Sequence, residues 1–318
     1  MTRNGLDVRL LVLGAALLLT AQGVAAQSYS RGQNASPAFE GWERNEDGSF
    51  NFLFGYMNRN WDEELDVAIG PDNSIEPGGP DQGQPTHFLP RRNRFVFKVR
   101  VPKDWGQKEL IWTLTTKGKT EKAYASLRQD SFVDDVVIAS ETGALGAGTS
   151  DPEIRGNKPP GVKIDGDKML RARVGDPLAL TATVTDDGVP RLRLPANLGA
   201  LAAAASTDPA ILAARRNPVA VAPSRLTVGK RTGLHLSWFV YRGEGKVTFD
   251  TPQIKVWEDM RTGANSPWAP LWIAPPAPAS GKYVAHATFD RPGTYVLRAR
   301  ADDGALFADE EITIVVSR

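Results

Sequence analysis

Residues 236–249 read LSWFVYRGEGKVTF, and the fold of the C-terminal half follows most directly from this stretch. Leu236, Trp238 and Val240 fall on every second position, which is the period of a strand with one buried face. The Arg-Gly-Glu-Gly-Lys run at 242–246 supplies turn residues, and apolar alternation resumes immediately after it. The stretch therefore predicts two short strands joined by a glycine-rich turn, with a Trp on the buried side.

The same alternation recurs through the rest of the C-terminal half. Further strands are predicted at 178–184, 283–289, 295–301 and 312–316. About seven short strands around a central Trp are typical of a β-sandwich with an immunoglobulin-like arrangement. Tyr295, two residues after Gly293, lies where a tyrosine corner is expected in such a sandwich.

Three stretches resemble the bacterial immunoglobulin-like domains of the polycystic-kidney-disease (PKD) type. They read LTATVTDDGVP at 180–190, LSWFVYRGEGKVTF at 236–249 and ATFDRPGTYVLRARADDG at 287–304. The resemblance covers roughly positions 160 to 317 and implies an adhesive, spacer or partner-binding module on an exported protein. The chain departs from the family pattern by two insertions, at about 191–231 and 251–282.

The N-terminal half resembles no family but carries the same strand signal. Apolar and aromatic residues alternate at 50–56, 65–69, 95–101 and 110–114, and Lys117-Gly118-Lys119 indicates a hairpin turn. Residues 70–90 contain too many Pro and Gly to predict regular structure. We therefore predict an all-β chain of two β-sandwich domains, the second being immunoglobulin- or PKD-like with two long loop insertions. The predicted segments are a signal peptide at 1–26, a flexible leader at 27–38, the N-terminal sandwich at 39–139, a linker at 140–160 and the second domain at 161–318.

The first 26 residues predict export. Arg3 and Arg9 precede an apolar run at 10–19. Val24-Ala25-Ala26 then places small residues before a predicted cleavage site ahead of Gln27. The run is too short to span a bilayer, so we expect no transmembrane span after cleavage. The 318 residues contain no cysteine, which excludes disulfides, cysteine-ligated metals and cysteine nucleophiles. We expect a protein in the periplasm or outside the cell.

The charge balance argues against nucleic acid as a partner. Lys and Arg number 38 and Asp and Glu number 37, for a net charge of +1. Without a basic excess there is no general electrostatic attraction to phosphate backbones.

Strand parity predicts that both insertions lie at one end of the second domain. Successive strands of a sandwich alternate in direction, so the loops that follow Val184, Phe249 and Ala301 meet at the same end. The first strand enters from that end as well. We therefore expect the N-terminal sandwich to lie close to the inserted loops.

The insertions supply the candidate partner-binding residues. These are Trp257, Trp268 and Trp272 in the second insertion and Arg191 and Arg193 in the first. Aromatic and Arg side chains on a rigid loop are suited to gripping a sugar ring or a protein partner. The other interpretation is that the Trp side chains pack between the two domains, since Trp is costly to leave in water.

Two acidic turns are candidates for a calcium site. Asp186 and Asp187, and Asp302 and Asp303, follow strands at the same predicted end of the sandwich. Calcium prefers six to eight oxygen ligands. Ordinary Asp-Gly turn chemistry explains the same residues without a metal, and no cofactor other than calcium is suggested.

No pattern typical of catalysis is present. The three histidines, His87, His235 and His286, form no zinc motif, and no Gly-x-Ser-x-Gly sequence is found. Asp62, Glu63 and Glu64 are adjacent in sequence, which predicts a solvated loop rather than carboxylates facing across a cleft.

The sequence therefore favours a non-catalytic exported binding or assembly protein. It would dock a protein or glycan at the cell envelope and serve there as an accessory subunit of a larger complex. The alternative is a secreted carbohydrate-active or other hydrolytic enzyme with its site between the domains.

Overall fold

The computed structural model describes residues 29–141, 152–191, 233–257 and 276–318. Within these ranges the chain is all-β, and its strands build two sandwiches. The strands are β1 (Ala35–Arg44), β2 (Phe50–Asn58), β3 (Leu65–Asp66), β4 (Asn73–Glu76), β5 (His87–Phe88), β6 (Arg91–Val101), β7 (Leu110–Thr116), β8 (Lys119–Ala125), β9 (Gly161–Ile164), β10 (Met169–Arg173), β11 (Leu178–Thr185), β12 (His235–Arg242), β13 (Val247–Phe249), β14 (Lys282–Phe289), β15 (Gly293–Asp302) and β16 (Phe307–Ser317). Two short helices, α1 (Asp135–Glu141) and α2 (Pro152–Gly156), lie between β8 and β9.

The N-terminal sandwich packs one three-stranded sheet against another. The first sheet has the order β1-β2-β6 and the second β4-β7-β8, with a small ribbon formed by β3 and β5. Alternation in β2, β6 and β7 places aromatic side chains in a shared core. Trp112 is at its centre, fully buried, with Phe54, Phe88 and Phe97 around it at ring-centroid distances of 6.0, 6.3 and 5.0 Å.

The C-terminal sandwich has the strand order of an immunoglobulin-like domain. One sheet runs β13-β14-β11-β9 and the other β10-β16-β15-β12, with β10 parallel to β16 and the remaining pairs antiparallel. This matches the division of an immunoglobulin constant-type domain into a four-stranded sheet and a sheet built on its third, sixth and seventh strands. The tyrosine corner is present, since the Tyr295 hydroxyl donates to the carbonyls of Glu244 and Arg291 at 2.8 and 3.0 Å.

Three segments differ from the sequence-based expectation. Strand β1 begins at Ala35, inside the segment expected to be a flexible leader, because Ala35 is fully buried and its N–H donates to the Thr116 hydroxyl. Strands β4 and β5 both lie inside the 70–90 loop, where we expected no regular structure; β4 pairs with β7 and β5 with β3. Helix α1 lies across the predicted boundary between the N-terminal sandwich and the linker, where no helix was predicted, and its residues Ile138 and Ala139 are buried in an apolar cluster.

The two sandwiches pack along a face rather than end to end. The outward positions of β12 include Tyr241, which is buried within the aromatic core cluster of the N-terminal sandwich. The Thr86 N–H donates to the Tyr241 carbonyl, and the Gly243 N–H donates to the Thr86 hydroxyl. Our expectation that the N-terminal sandwich lies at the loop end is therefore only partly right. The N-terminal sandwich contacts Ala305 and Leu306 at the loop end. It also packs against the outer face of β12 through Tyr241.

A buried arginine joins the two sandwiches. Arg298, on β15, is 5% exposed and stacks on Tyr241 with its guanidinium 3.4 Å from the ring centroid. It donates to the Val96 carbonyl of the N-terminal sandwich and pairs with Glu311 and, at 3.4 Å, Asp309. A planar guanidinium satisfied on several sides fixes the relative position of the strands it touches.

Candidate functional site

A cavity of about 150 Å³ lies at the junction of the two sandwiches, beside the edge strand β12. The N-terminal sandwich contributes one wall, strands β12 and β13 contribute a second, and residues 253–257, here called the strap, contribute a third. The lining residues are Glu64, His87, Leu89, Trp238, Phe239, Val240, Val247, Phe249, Gln253, Ile254, Lys255, Val256 and Trp257. The strap is held against β12 because the Trp238 backbone N–H donates to the Gln253 side-chain carbonyl at 2.8 Å. The walls are mainly apolar and aromatic, as in most small-molecule sites.

His87 is fixed at the polar end of the cavity. Its Nδ1 lies 2.7 Å from Asp66 Oδ1 and its Nε2 lies 3.2 Å from Glu64 Oε2. Burial opposes protonation of this ring, but the hydrogen bonds to Asp66 and Glu64 outweigh burial and raise the pKa of His87 to about 9. The group is therefore an imidazolium at neutral pH, with both N–H groups donating to carboxylates.

The raised pKa of His87 predicts a loss of stability in alkali. A histidine with a folded pKa of about 9 against 6.5 when unfolded stabilises the fold fully below pH 6.5 and ceases to do so as pH rises through 9. We expect the free energy of unfolding to fall by roughly 2–3 kcal/mol across this window, because a tenfold difference in proton affinity between the folded and unfolded chain corresponds to about 1.4 kcal/mol. Urea denaturation at a series of pH values measures this slope.

His87→Gln should remove most of that slope, while His286→Gln should preserve it. His286 pairs with Asp250 on the surface, where its side chain is 42% exposed and water screens the interaction. Equal slopes in the wild-type chain and in His87→Gln would contradict the assignment.

Two indole N–H groups at the cavity have no hydrogen-bond acceptor among the residues that the structure describes. Trp238 is 2% exposed and Trp257 is half-buried, and the Nε1 atom of each is buried. A buried donor left unsatisfied costs free energy, so such donors are normally paired with protein, water or ligand. Both residues line the cavity, but their indole nitrogens are shielded from its interior.

The described lining of the cavity has one imidazole and one carboxylate among its titratable groups. Because both imidazole nitrogens of His87 face carboxylates, the ring has no lone pair with which to take up a proton from a substrate. Glu64 is the single carboxylate among the described lining residues. Glycoside hydrolysis requires two carboxyl groups flanking the bond that is cleaved. The described lining of the cavity therefore supplies no carboxylate pair, and its imidazolium cannot act as a base.

The predicted partner-binding residues have separate positions. Trp257 is at the interdomain cavity, where its ring also lies 5.3 Å from Lys255 Nζ. Arg191 is not among the lining residues: its side chain is 81% exposed, its backbone N–H donates to Glu153, and its guanidinium lies 3.9 Å from the same carboxylate. Trp268, Trp272 and Arg193 lie outside the described residues, as does the predicted signal peptide.

The four aspartates of the calcium prediction accept hydrogen bonds within their own turns. Asp186 accepts from Gly188 N–H and Asp187 from Val189 N–H. Asp302 accepts from Gly304 N–H, and Asp303 accepts from the N–H groups of Ala305 and Leu306 and from Asn157. Burial raises the pKa of Asp303 to about 6. No group of three or more potential metal-ligating side chains occurs within the ranges that the structure describes. The geometry is that of Asp-Gly turns, and calcium stays a prediction.

Sequence reasoning missed most of the cavity. Glu64 was expected in a solvated loop, yet it lines the cavity beside His87 because β3 and β5 pair and bring residues 64–66 against residue 87. Trp238 was expected to be a core residue, and it is one, but its indole nitrogen has no acceptor within the described part of the chain. The one sequence signal for this site was the Trp-bearing second insertion.

Comparisons with known proteins give no family. No family model and no curated protein matches the chain. Similar solved structures include domains 4 and 5 of the S-layer protein SbsC, at 6% identity over 67% of this chain and 66% of that one with a TM-score of 0.23. The adhesin InvE of Yersinia pseudotuberculosis matches at 8% identity over 91% of this chain and 61% of that one with a TM-score of 0.22. The fibronectin(III)-like modules of Clostridium thermocellum CbhA match at 9% identity over 89% of this chain and 94% of that one with a TM-score of 0.22.

These similarities carry no conclusion about function. The chain spans less than two thirds of the length of the first two structures, and all three TM-scores are far below 0.5. The immunoglobulin-like arrangement instead rests on strand order and the tyrosine corner. Across the described ranges, no helix has the length and apolar character needed to cross a membrane.

Proposed function

We propose that this chain is an exported, non-catalytic binding or assembly protein, with a second sandwich of the PKD type. It docks a protein or glycan partner at the cell envelope, in the periplasm or outside the cell, and acts there as an accessory subunit. The observation that carries this proposal is the interdomain cavity. Its walls are mainly apolar and aromatic, and its histidine is held as an imidazolium between two carboxylates.

The junction between the sandwiches supports a binding role because it holds the cavity walls in fixed positions. Arg242 donates to Asp81 through two nitrogens at 3.0 and 2.8 Å and to the Gln84 carbonyl at 2.9 Å. The Tyr241 hydroxyl donates to the Gly83 carbonyl. A site whose walls are already in place loses less conformational entropy when it binds.

Filling the cavity should abolish binding to the envelope. Val247 lines the cavity from β13, whereas Thr248 is the next residue along the strand, is exposed and lies outside the lining. We expect the chain from residue 27 onward to co-sediment with isolated envelopes of its source organism, and Val247→Phe to reduce the bound fraction by about 10-fold or more, as for a blocked central contact.

Thr248→Phe is the matched control, since it adds the same ring on the opposite side of the strand. Its binding should equal that of the wild-type chain, and circular dichroism should show both variants folded. The proposed function would be contradicted if the wild-type chain did not sediment with the envelopes, or if Val247→Phe bound them as well as the wild-type chain does.

A further inference from the structure

We infer that the open edge of β10 docks an extended, acidic segment of a partner protein, which adds to the C-terminal sandwich as a further strand. Strand β10 (Met169–Arg173) ends the sheet that runs β10-β16-β15-β12. The interdomain cavity lies beside β12, at the opposite edge of that sheet, so this site is separate from the cavity of the proposed function. Three features of the edge lead to this partner: its backbone, the groove beside it and its charge.

The backbone of β10 offers hydrogen-bonding groups at every second residue. The Lys168 carbonyl accepts from β16 and the Val174 N–H donates to β16, both at 2.9 Å, so the even-numbered residues of this segment face β16. Because the hydrogen-bonding direction alternates along a strand, the N–H and C=O groups of Met169, Arg171 and Arg173 point to the other side. No strand within the described ranges pairs on that side, and all three residues are exposed. Such an edge is a template for another strand.

A groove of about 340 Å³ opens beside this edge, between β10 and β11. It lies where β9 stops, because β9 pairs with β11 only at residues 182–185 and leaves residues 178–181 at the border of their sheet. Leu170 and Thr181 line the groove half-buried, and Ala179 lines it exposed. A cavity of roughly 150 Å³ holds a benzene ring, so this groove has room for the aliphatic side chains that an added strand turns inward.

The charge of the edge selects an acidic partner. Arg171 and Arg173 are exposed, and neither forms an ion pair with any residue that the structure describes. Their register partners on β16 are Val315 and Ser317, which carry no charge. Acidic residues flank the strand at positions 167 and 176, but none lies within it. Opposite charges on facing residues of neighbouring strands are favourable, so an added strand with carboxylates beside the two Arg side chains fits this edge.

The same two cations argue against a second copy of this chain as the occupant. If two β10 edges paired antiparallel about Arg171, the two Arg171 side chains would lie directly opposite each other. Like charges in that position destabilise strand pairing, and charged residues on edge strands commonly prevent self-association. An acidic segment has the opposite effect, because the cations that repel a second copy attract its carboxylates.

This mode of binding gives each feature of the edge a role. In strand addition, main-chain hydrogen bonds supply affinity, and pockets for alternate side chains supply specificity. The segment we infer therefore alternates acidic residues, which face outward beside Arg171 and Arg173, with aliphatic residues, which face the groove.

The test measures binding of a fluorescent peptide, acetyl-GEVEVEG-amide, to the chain from residue 27 onward by fluorescence anisotropy at low salt. We expect saturable binding that weakens as salt is added, because exposed charge pairs are screened. The matched basic peptide, acetyl-GKVKVKG-amide, should bind about 10-fold more weakly or worse, because it places like charges beside the edge. The peptide acetyl-GEEEVVG-amide has the composition of the acidic peptide without its alternation, and it should also bind more weakly.

Two kinds of variant separate backbone pairing from charge. Met169→Pro removes an edge N–H without breaking a bond to β16, since proline is tolerated at the first residue of a strand. It should weaken binding about 3- to 10-fold, the range for one hydrogen bond, whereas Met169→Ala keeps the N–H and should bind as the wild-type chain does. Arg171→Gln combined with Arg173→Gln should weaken binding about 5-fold, as for two exposed ion pairs. Lys103→Gln removes an exposed cation of the N-terminal sandwich and should have no effect.

Hydrogen exchange locates the contact, and circular dichroism shows that each variant is folded. We expect the acidic peptide to slow exchange of the backbone N–H groups in residues 168–174, which a contact through charge alone leaves unchanged. The inference is overturned if the acidic peptide does not bind, if the peptide without alternation binds equally well, or if Met169→Pro binds as tightly as Met169→Ala.

Sedimentation velocity tests the other occupant of this edge. Dimers of the wild-type chain that Met169→Pro abolishes would show that the edge pairs with a second copy, and would overturn the inference of an acidic partner. Val247→Phe fills the interdomain cavity and should leave peptide binding unchanged. A failure of the envelope-binding test can therefore be distinguished from a failure of this one.

Discussion

Replacing Trp112 by alanine is expected to lower the free energy of unfolding by about 4 kcal/mol, the range measured for large aromatic residues in protein cores. Trp112 is fully buried between Phe54, Phe88 and Phe97, so its removal leaves a large cavity that rigid neighbouring rings cannot fill. The indole also donates to Asn73 Oδ1 at 3.0 Å, and Asn73 in turn donates to the carbonyls of Val67 and Pro85. Urea denaturation followed by circular dichroism measures the loss.

Trp61→Ala is the matched control for this substitution. Trp61 is half-buried and lies under the Arg91 guanidinium at 3.9 Å. A contact of this kind at a partly exposed site contributes about 1 kcal/mol or less. Trp112→Phe should be intermediate, since it keeps a ring but leaves the buried Asn73 oxygen without its donor. A loss from Trp112→Ala no greater than that from Trp61→Ala would contradict the central role of Trp112.

Replacing Arg298 by methionine is expected to cost about 3 kcal/mol, near the low end for breaking a buried ion pair from one side. The methionine keeps much of the volume but leaves the Val96 carbonyl without its donor and Tyr241 without its stacked cation. We expect a cost near the lower limit for two reasons. The Glu311 side chain is 46% exposed and can be solvated after the substitution. Asp309 retains its ion pair with Arg300, at 2.7 Å. We expect the loss to weaken the junction between the sandwiches specifically.

Arg291→Met provides the comparison. Arg291 is 53% exposed and lies 3.6 Å from Glu244, a surface pair of the kind worth at most about 1 kcal/mol. Limited proteolysis between residues 141 and 161 should accelerate in Arg298→Met and not in Arg291→Met. Unchanged proteolysis together with unchanged stability in Arg298→Met would show that the sandwiches are held together without this residue.

Most strands of this protein could be predicted from the sequence, because the alternation of apolar and polar residues that indicates a strand lies within the strand itself. Alternation around Trp238 placed β12 correctly, and the Lys117-Gly118 turn between β7 and β8 was correct because both residues adopt the positive φ that such a turn requires, at 51° and 72°. Strand β4 was missed because it is short and lies in a Pro- and Gly-rich loop. Its pairing with β7 depends on Trp112 holding Asn73, a contact between residues 39 positions apart.

The candidate site was mostly hidden for the same reason. Trp257 was selected from its own insertion, but Glu64 and His87 are joined to β12 only by the packing of one sandwich on the other. Adjacent carboxylates at 62–64 gave no sign that one of them would face a buried imidazole. Tyr241 is buried although it lies on the outer face of β12, because the other sandwich covers that face.

Composition and local pattern alone determined that the chain lacks cysteine, is rich in strands and has an immunoglobulin-like C-terminal half. These properties depend on the residue types present and on the two-residue period of a strand, which are fixed before any long-range contact forms. The cavity and the position of His87 in it depend on which faces meet when the sandwiches pack. Burial and desolvation arise only at that step, so the interdomain cavity exists only in the packed chain.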